Sequence, residues 1–339
     1  MPVNSWTACV ASSRRAFLRA LPSALLPLAL CACTGVLSSE GARFDASEIS
    51  ANPSVLVVTT RKPVNGARER PWFGGERGAA PTVARAVLTP PDDGRFSLSS
   101  IGLGDWRVDR IEPLTPSAEL IESLTSGRDV LIYVHGFNQT FETAVLDAAR
   151  LSDALRFRGD TIAFSWPSRA KLFDYGYDRD SAMWSRDALE RSLEELMARP
   201  TAGRVDIVAH SIGTMLALEA LRQLHTRHGD LAAERIGAVV FAAPDIDMDV
   251  FANSVRHLGA LARKIVVITA TNDRALELSG WIAGGMTRVG SAEKAKLEQL
   301  GLRVVDASQE GWGLINHDLF MSNRQVRQLI RRVLDSPEG

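Results

Sequence analysis

At 339 residues, with 45% hydrophobic and 23% charged side chains, the chain has enough apolar material for a large core, which excludes wholesale disorder. Its 39 basic and 40 acidic residues give a formal charge of −1, so it lacks the basic footprint of a nucleic-acid binder. The three cysteines, Cys9, Cys31 and Cys33, all precede the globular part, which excludes a disulfide framework or a thiolate zinc site inside the fold.

Residues 13–19 read S-R-R-A-F-L-R, a twin-arginine pattern, and an apolar stretch of about 13 residues follows at 20–32. Crossing a bilayer takes about 20 apolar residues, and this stretch also holds Pro22 and Pro27, so it reads as a bacterial Tat export signal rather than a permanent span. It ends in Leu30-Cys31-Ala32-Cys33, which resembles the lipobox of bacterial lipoproteins, where the last cysteine is diacylated and becomes the new N-terminus. Cys33 is then a lipid anchor to a membrane of the bacterial cell envelope. Cys31 stands where a small residue is usual, which leaves ordinary cleavage nearby open, as it leaves a plain basic tail. Loss of residues 1–32 removes Arg14, Arg15 and Arg19 and no acid, leaving 36 basic against 40 acidic residues and again no case for a polyanionic partner. The expected organisation is a signal peptide at 1–32, a tether rich in Ser, Gly, Ala and charge at 33–53, and one folded domain at 54–335.

The run S-V-L-V-V-T-T at 54–60 predicts a strand, and the crowding of Gly, Pro and Arg over 61–81 predicts a long loop. Short alternations over 83–113 suggest one or two further strands. From residue 129 onward, apolar runs at 130–135, 161–166, 205–209, 238–242, 265–270 and 302–305 alternate with amphipathic stretches at 141–155, 184–198, 212–225 and 321–334. That alternation predicts an α/β fold with a mostly parallel central sheet and helices on both faces.

Within R-V-D-I-V-A-H-S-I-G-T-M, Ser211 falls where a buried strand meets a helix. A sharp strand-to-helix elbow needs small residues two before and two after the serine, and Ala209 and Gly213 supply them, Ala209 departing from the usual glycine. Such a turn holds the hydroxyl out at the sheet edge as a nucleophile; the same serine could instead simply cap the helix. The backbone N–H of Ile212 then faces a developing oxyanion, aided by the helix dipole. The second donor is expected from H-G-F-N after the strand at 130–135, at the N–H of Phe137; His135-Gly136 resembles the H-G start of the oxyanion loop of many esterases and lipases.

A serine hydroxyl needs a base. Of six histidines, His135 and His210 flank these motifs and His225, His228 and His257 lie in charged, helical stretches, which leaves His317, in the loop before the last helix. The carboxylate that orients the base is best placed at Asp273, in T-N-D-R-A-L after the penultimate strand, giving the chain order Ser, acid, His; Asp245 and Asp247, in A-A-P-D-I-D, are rivals.

Taken together, T-T-R at 59–61, F-G-G-E-R-G at 73–78, H-G-F-N, F-S-W-P, A-H-S-I-G, A-A-P-D-I-D and T-N-D-R-A-L resemble a bacterial α/β-hydrolase family. It is the esterase/lipase-like family known as domain of unknown function 900. The resemblance implies an α/β-hydrolase fold with a Ser211, Asp273 and His317 triad acting on a small-molecule ester, without cofactor or metal. It names no substrate and no oligomeric state. Trp166, Phe173, Tyr175 and Tyr177 are candidate pocket residues, and 276–300 a candidate partial lid. Two other readings stay open: a lipoprotein whose hydrolase fold binds a partner or lipid, and an acyltransferase.

Overall fold

The computed structural model describes residues 54–90, 106–115, 118–199, 203–271, 273, 276, 279, 287–308 and 323–335. The expected signal segment and tether, with Cys33, and His317 lie outside the described residues.

Among the described residues the strands are β1 (Ser54–Pro63), β2 (Phe73–Thr89), β3 (Arg107–Leu114), β4 (Val130–Val134), β5 (Asp160–Ser165), β6 (Val205–His210), β7 (Ile236–Ala242), β8 (Ile265–Thr269) and β9 (Arg303–Asp306). They form one sheet in the order β3-β2-β1-β5-β4-β6-β7-β8-β9. Every neighbouring pair from β1 through β5, β4, β6, β7 and β8 to β9 is parallel, while the edge pairs β1–β2 and β2–β3 are antiparallel, so that β2 alone of these strands runs against the rest. Among the described residues the α-helices are α1 (Ala118–Glu122), α2 (Phe141–Leu155), α3 (Tyr175–Trp184), α4 (Arg186–Met197), α5 (Ile212–His228), α6 (Leu231–Arg235), α7 (Met248–Val255), α8 (Lys294–Glu298) and α9 (Arg324–Asp335).

Alternate residues of each central strand enter opposite cores. Ile132, Val134, Ile207, Ala209, Val239 and Phe241 pack with Leu189, Leu193, Leu216 and Phe251 from the helices of one face. Leu131, Tyr133, Val208 and Val240 pack with Val145, Leu151 and Leu155 of α2 and Val326 and Ile330 of α9 on the other. Burial on both faces is why these strands are continuous apolar runs.

One expectation changes. The stretch 61–81 is not a long loop: β1 runs on to Pro63 and β2 begins at Phe73. Gly66 turns the chain between the two strands with φ 67°, whereas Gly75 and Gly78 serve close approach. A Cβ on Gly75 would stand 2.8 Å from the Arg169 Cα, and one on Gly78 the same distance from the Arg61 carbonyl oxygen. The predicted helix 184–198 is α4, and α3 precedes it and meets it at Ser185, whose Oγ donates to the Ser181 carbonyl (2.8 Å) and lies 2.8 Å from Thr60 Oγ1.

Candidate active site

The C-terminal ends of β4, β5, β6 and β7 are each followed within a few residues by a non-glycine residue with positive φ: Asn138 (60°), Ala170 (53°), Ser211 (51°) and Ala243 (46°). Conformations of this kind cost on the order of 1–3 kcal/mol each and persist only where surrounding contacts over-determine them. They cluster at one end of the sheet.

Ser211 joins β6 to α5 with φ 51° and ψ −124°, and is buried. Its N–H donates to the Ala242 carbonyl (3.0 Å), while its own carbonyl accepts from Thr214 Oγ1 (2.6 Å) and more loosely from the Asp245 N–H (3.4 Å). Gly213 is required by sterics, since a Cβ there would lie 2.3 Å from the His135 carbonyl oxygen. Its absence lets the first turn of α5 rest on the end of β4. A Cβ on Gly136 would meet His210 Nδ1 at 2.8 Å and Ser211 Cβ at 3.0 Å, so the H-G-F-N loop lies directly against the serine. Ile212 opens α5, where an N–H has no intrahelical acceptor. The Phe137 N–H makes no hydrogen bond to any described residue. The expected nucleophile and both expected oxyanion donors therefore meet at one place.

The carboxylates sort by what they touch. Asp273 is fully buried past β8, with its N–H on the Ala270 carbonyl (3.1 Å) and Oδ1 accepting from the Leu276 N–H (3.2 Å). Asp245, also buried, accepts from Tyr175 Oη (2.8 Å) and Ser279 Oγ (2.9 Å), and Arg288 Nε stands 3.0 Å from its Oδ1. Asp247 caps α7, accepting from the N–H groups of Asp249 (3.0 Å) and Val250 (3.1 Å). Burial, then the neighbouring Asp245 carboxylate, pushes the Tyr175 phenol up to about 12, so it stays protonated and donates.

The aromatic residues divide in the same way. Trp166 is no pocket wall: it is fully buried, its ring stacks on His135 (centroids 4.5 Å apart, 12° between planes), and its Nε1–H donates to the His135 carbonyl (2.8 Å). Tyr177 donates to the Gly75 carbonyl (3.1 Å) beneath the Arg169 guanidinium, 3.6 Å from its ring centre. Phe173 is 93% exposed. Tyr175 stands beside the site, edge-on to Phe137 at 5.5 Å.

Sequence reasoning missed Arg61, Arg288 and Asp178 as buried charges of this region. Arg61 was visible only as part of T-T-R, and Asp178 only within the charged run Y-D-R-D. Burial pushes the Asp178 carboxyl up, against the hydrogen bonds it accepts from Ser168 Oγ and the N–H groups of Arg169 and Asn138. Among the described residues no cluster of His, Cys, Asp and Glu is placed to hold a metal ion, and no helix is long and apolar enough to cross a membrane.

A mostly parallel sheet covered by helices on both faces, with a serine elbow at the end of β6, has the architecture of an α/β hydrolase. The chain belongs to the family described as alpha/beta hydrolase of unknown function (DUF900), whose model matches residues 115–333. An uncharacterized protein of Nostoc sp. is 26% identical over 122 residues, a match covering 29% of this chain and 32% of that relative's length. Among solved structures, an esterase of Pyrobaculum calidifontis is similar at 15% identity and a TM-score of 0.34, covering 76% of this chain and 81% of the esterase. Lipase B of Aspergillus fumigatus is similar at 12% identity and a TM-score of 0.40, covering 62% of this chain and 53% of the lipase.

Proposed function

We propose that this chain is a serine hydrolase that cleaves small-molecule carboxylic esters, with Ser211 as nucleophile, His317 as general base and Asp273 as the carboxylate that orients it. The observation that carries this reading is the backbone of Ser211, held at φ 51° and ψ −124° with the Gly136–Phe137 loop against it. In the reaction, Ser211 Oγ attacks the ester carbonyl as His317 takes its proton, and the N–H groups of Phe137 and Ile212 bind the oxyanion. The imidazolium returns the proton to the leaving alcohol, and water activated by the same histidine then hydrolyses the acyl-enzyme. Asp273 is preferred as the acid because Asp245 faces Arg288 and Asp247 caps a helix.

Labelling with a fluorophosphonate probe tests the reading. The expected adduct is on Ser211, absent in Ser211→Ala, and Asp273→Asn is expected to lower kcat about 10³- to 10⁴-fold. Well-folded wild-type protein without an adduct would leave the fold as a binding module. A small loss in Asp273→Asn beside a large one in Asp245→Asn would move the acid to Asp245.

The same proposal puts the enzyme in the bacterial cell envelope, tethered through a diacylated Cys33 after export by the twin-arginine route. Support comes from S-R-R-A-F-L-R and the L-C-A-C that follows the apolar stretch. Cells grown with an alkynyl fatty acid are expected to label the wild-type chain and not Cys33→Ala; equal labelling of both would remove the anchor.

A further inference from the structure

Arg61 ends the regular part of β1, flanked by two register shifts against β2, and irregularities of this kind re-aim a side chain. Arg61 is 1% exposed, and its guanidinium carries five N–H bonds. Five acceptors surround it. Nε donates to Ser165 Oγ (2.9 Å), Nη1 to the carbonyls of Gly74 (3.1 Å) and Ser168 (2.8 Å), and Nη2 to the Gln139 carbonyl (2.8 Å), with His135 Nε2 at 3.5 Å from the same nitrogen. A lysine, with three donors on one atom, cannot reproduce this fork.

The contact with His135 sets the state of that ring. Burial first, and the Arg61 charge second, hold the imidazole well below its usual range, so it is neutral near pH 7 and has one N–H. Nε2 faces both the Arg61 guanidinium and the Trp166 carbonyl (3.1 Å), while Nδ1 faces the Gly136 carbonyl at the shorter distance of 2.8 Å. The guanidinium has only hydrogens to offer and so favours a bare Nε2, which opposes the pull of the Trp166 carbonyl for an Nε2–H; with the shorter contact at Nδ1, this places the proton on Nδ1. That proton is then donated to the Gly136 carbonyl. The Gly136 carbonyl and the Phe137 N–H belong to one planar trans peptide and point in opposite directions. Fixing the carbonyl therefore aims the N–H.

We infer that Arg61 and His135 are positioning residues for the oxyanion hole: Arg61 selects the tautomer, and the His135 Nδ1–H pins the Gly136 carbonyl so that the Phe137 N–H faces the space above Ser211. This rests on the proposed hydrolysis at Ser211. Asp178 supports the same loop from its other side by accepting from the Asn138 N–H (3.4 Å) and from Ser168 Oγ, which itself accepts from the Gln139 N–H (3.1 Å). The oxyanion loop is thus held on both sides of Phe137 by groups that touch no reacting atom.

The test compares full-length wild type with Arg61→Lys, His135→Asn and His135→Gln, measuring fluorophosphonate labelling of Ser211 and kcat and KM on p-nitrophenyl butyrate. Asparagine places an amide N–H near the position of Nδ1, and glutamine places one near Nε2; both lose the ring stacked on Trp166. Expected are a kcat within about 5-fold of wild type for His135→Asn, and losses of about 10- to 100-fold in kcat at nearly constant KM for His135→Gln and Arg61→Lys, since the oxyanion contact exists only in the transition state. Equal loss in the Asn and Gln variants, or a loss confined to KM, would reduce His135 to a packing role and overturn the inference. Should Arg61→Lys fail to fold, the His135 pair still decides. Wild type that never labels at Ser211 would take the hydrolase reading down together with this one, whereas a labelled wild type with indifferent variants removes the positioning role alone.

Discussion

Two buried arginines flank Ser211, Arg61 on the β1 side of the sheet and Arg288 on the β7 and β8 side, each 1% exposed. They are satisfied in different ways. Arg61 directs its donors at three carbonyls, a hydroxyl and an imidazole nitrogen, with no carboxylate among the described residues in hydrogen-bond contact. Arg288 faces the Asp245 carboxylate at 3.0 Å and donates to the Ser279 carbonyl (3.3 Å), while its own segment binds the neighbouring loops through Val289 N–H to the Ile246 carbonyl (3.0 Å) and Gly290 N–H to the Pro244 carbonyl (2.9 Å). A guanidinium saturated by carbonyls fixes the path of backbone, which is what an oxyanion hole made of amides needs. A guanidinium paired with a carboxylate fixes side chains and couples their charges. Burial lowers the Arg61 guanidinium to about 9, and the group stays charged at neutral pH.

The contrast breaks most visibly at Arg288. Arg288→Met leaves Asp245 as a buried carboxylate without its cation, a situation that costs about 3–5 kcal/mol. Adding Asp245→Asn, which keeps the shape and can still pair with Tyr175 and Ser279, is expected to recover a large part of that loss. Urea unfolding of both single variants and the double variant measures the coupling. Strictly additive losses would mean that the two side chains do not interact, and Arg288 would then be no different in kind from Arg61.

The same contrast explains what could be read from the sequence. The central strands were legible because burial on both faces makes them continuous apolar runs, so the expected 130–135 and 265–270 differ from β4 and β8 by one residue at the end. The strand-to-helix turn at Ser211 was legible because an elbow demands small residues at fixed offsets, which Ala209 and Gly213 meet. The hairpin of β1 and β2 was not, because Gly75 and Gly78 look like turn formers when read alone; their reason is the approach of Arg169 and Arg61 from other parts of the chain. Arg61 was hidden for a related reason. Its acceptors come from residues 74, 135, 139, 165 and 168, and no local pattern announces that segments so far apart will surround one guanidinium. Trp166 was misjudged as a pocket wall because an aromatic ring after a strand gives no sign of whether it faces substrate or a histidine.

A third buried charge, on β6 itself, completes the series and carries the smallest expected effect. Asp206 lies near the end of β6 opposite Ser211; its Oδ1 accepts from the Ala238 N–H (2.7 Å), and its Oδ2 has no hydrogen-bond partner among the described residues. A Cβ on Gly237 would stand 2.1 Å from Oδ1, so this glycine makes room for the carboxylate. Burial pushes Asp206 up to about 6, against the Ala238 hydrogen bond and the charge of Arg204. Between the ordinary aspartate value of about 4 and that value, the folded state holds a proton that the unfolded state has released, so stability is highest below the window and falls as pH rises through it. Asp206→Asn keeps the acceptor and removes the charge. It should stabilise the fold on the order of 2 kcal/mol at pH 8 and little at pH 4, with kcat unchanged. Urea unfolding at the two pH values reads this directly. A gap between variant and wild type that stays constant with pH would show that Asp206 is solvated well enough to ionise freely. The rule drawn from Arg61 and Arg288, that a buried charge in this fold is met by partners, would then hold for Asp206 through water instead of protein.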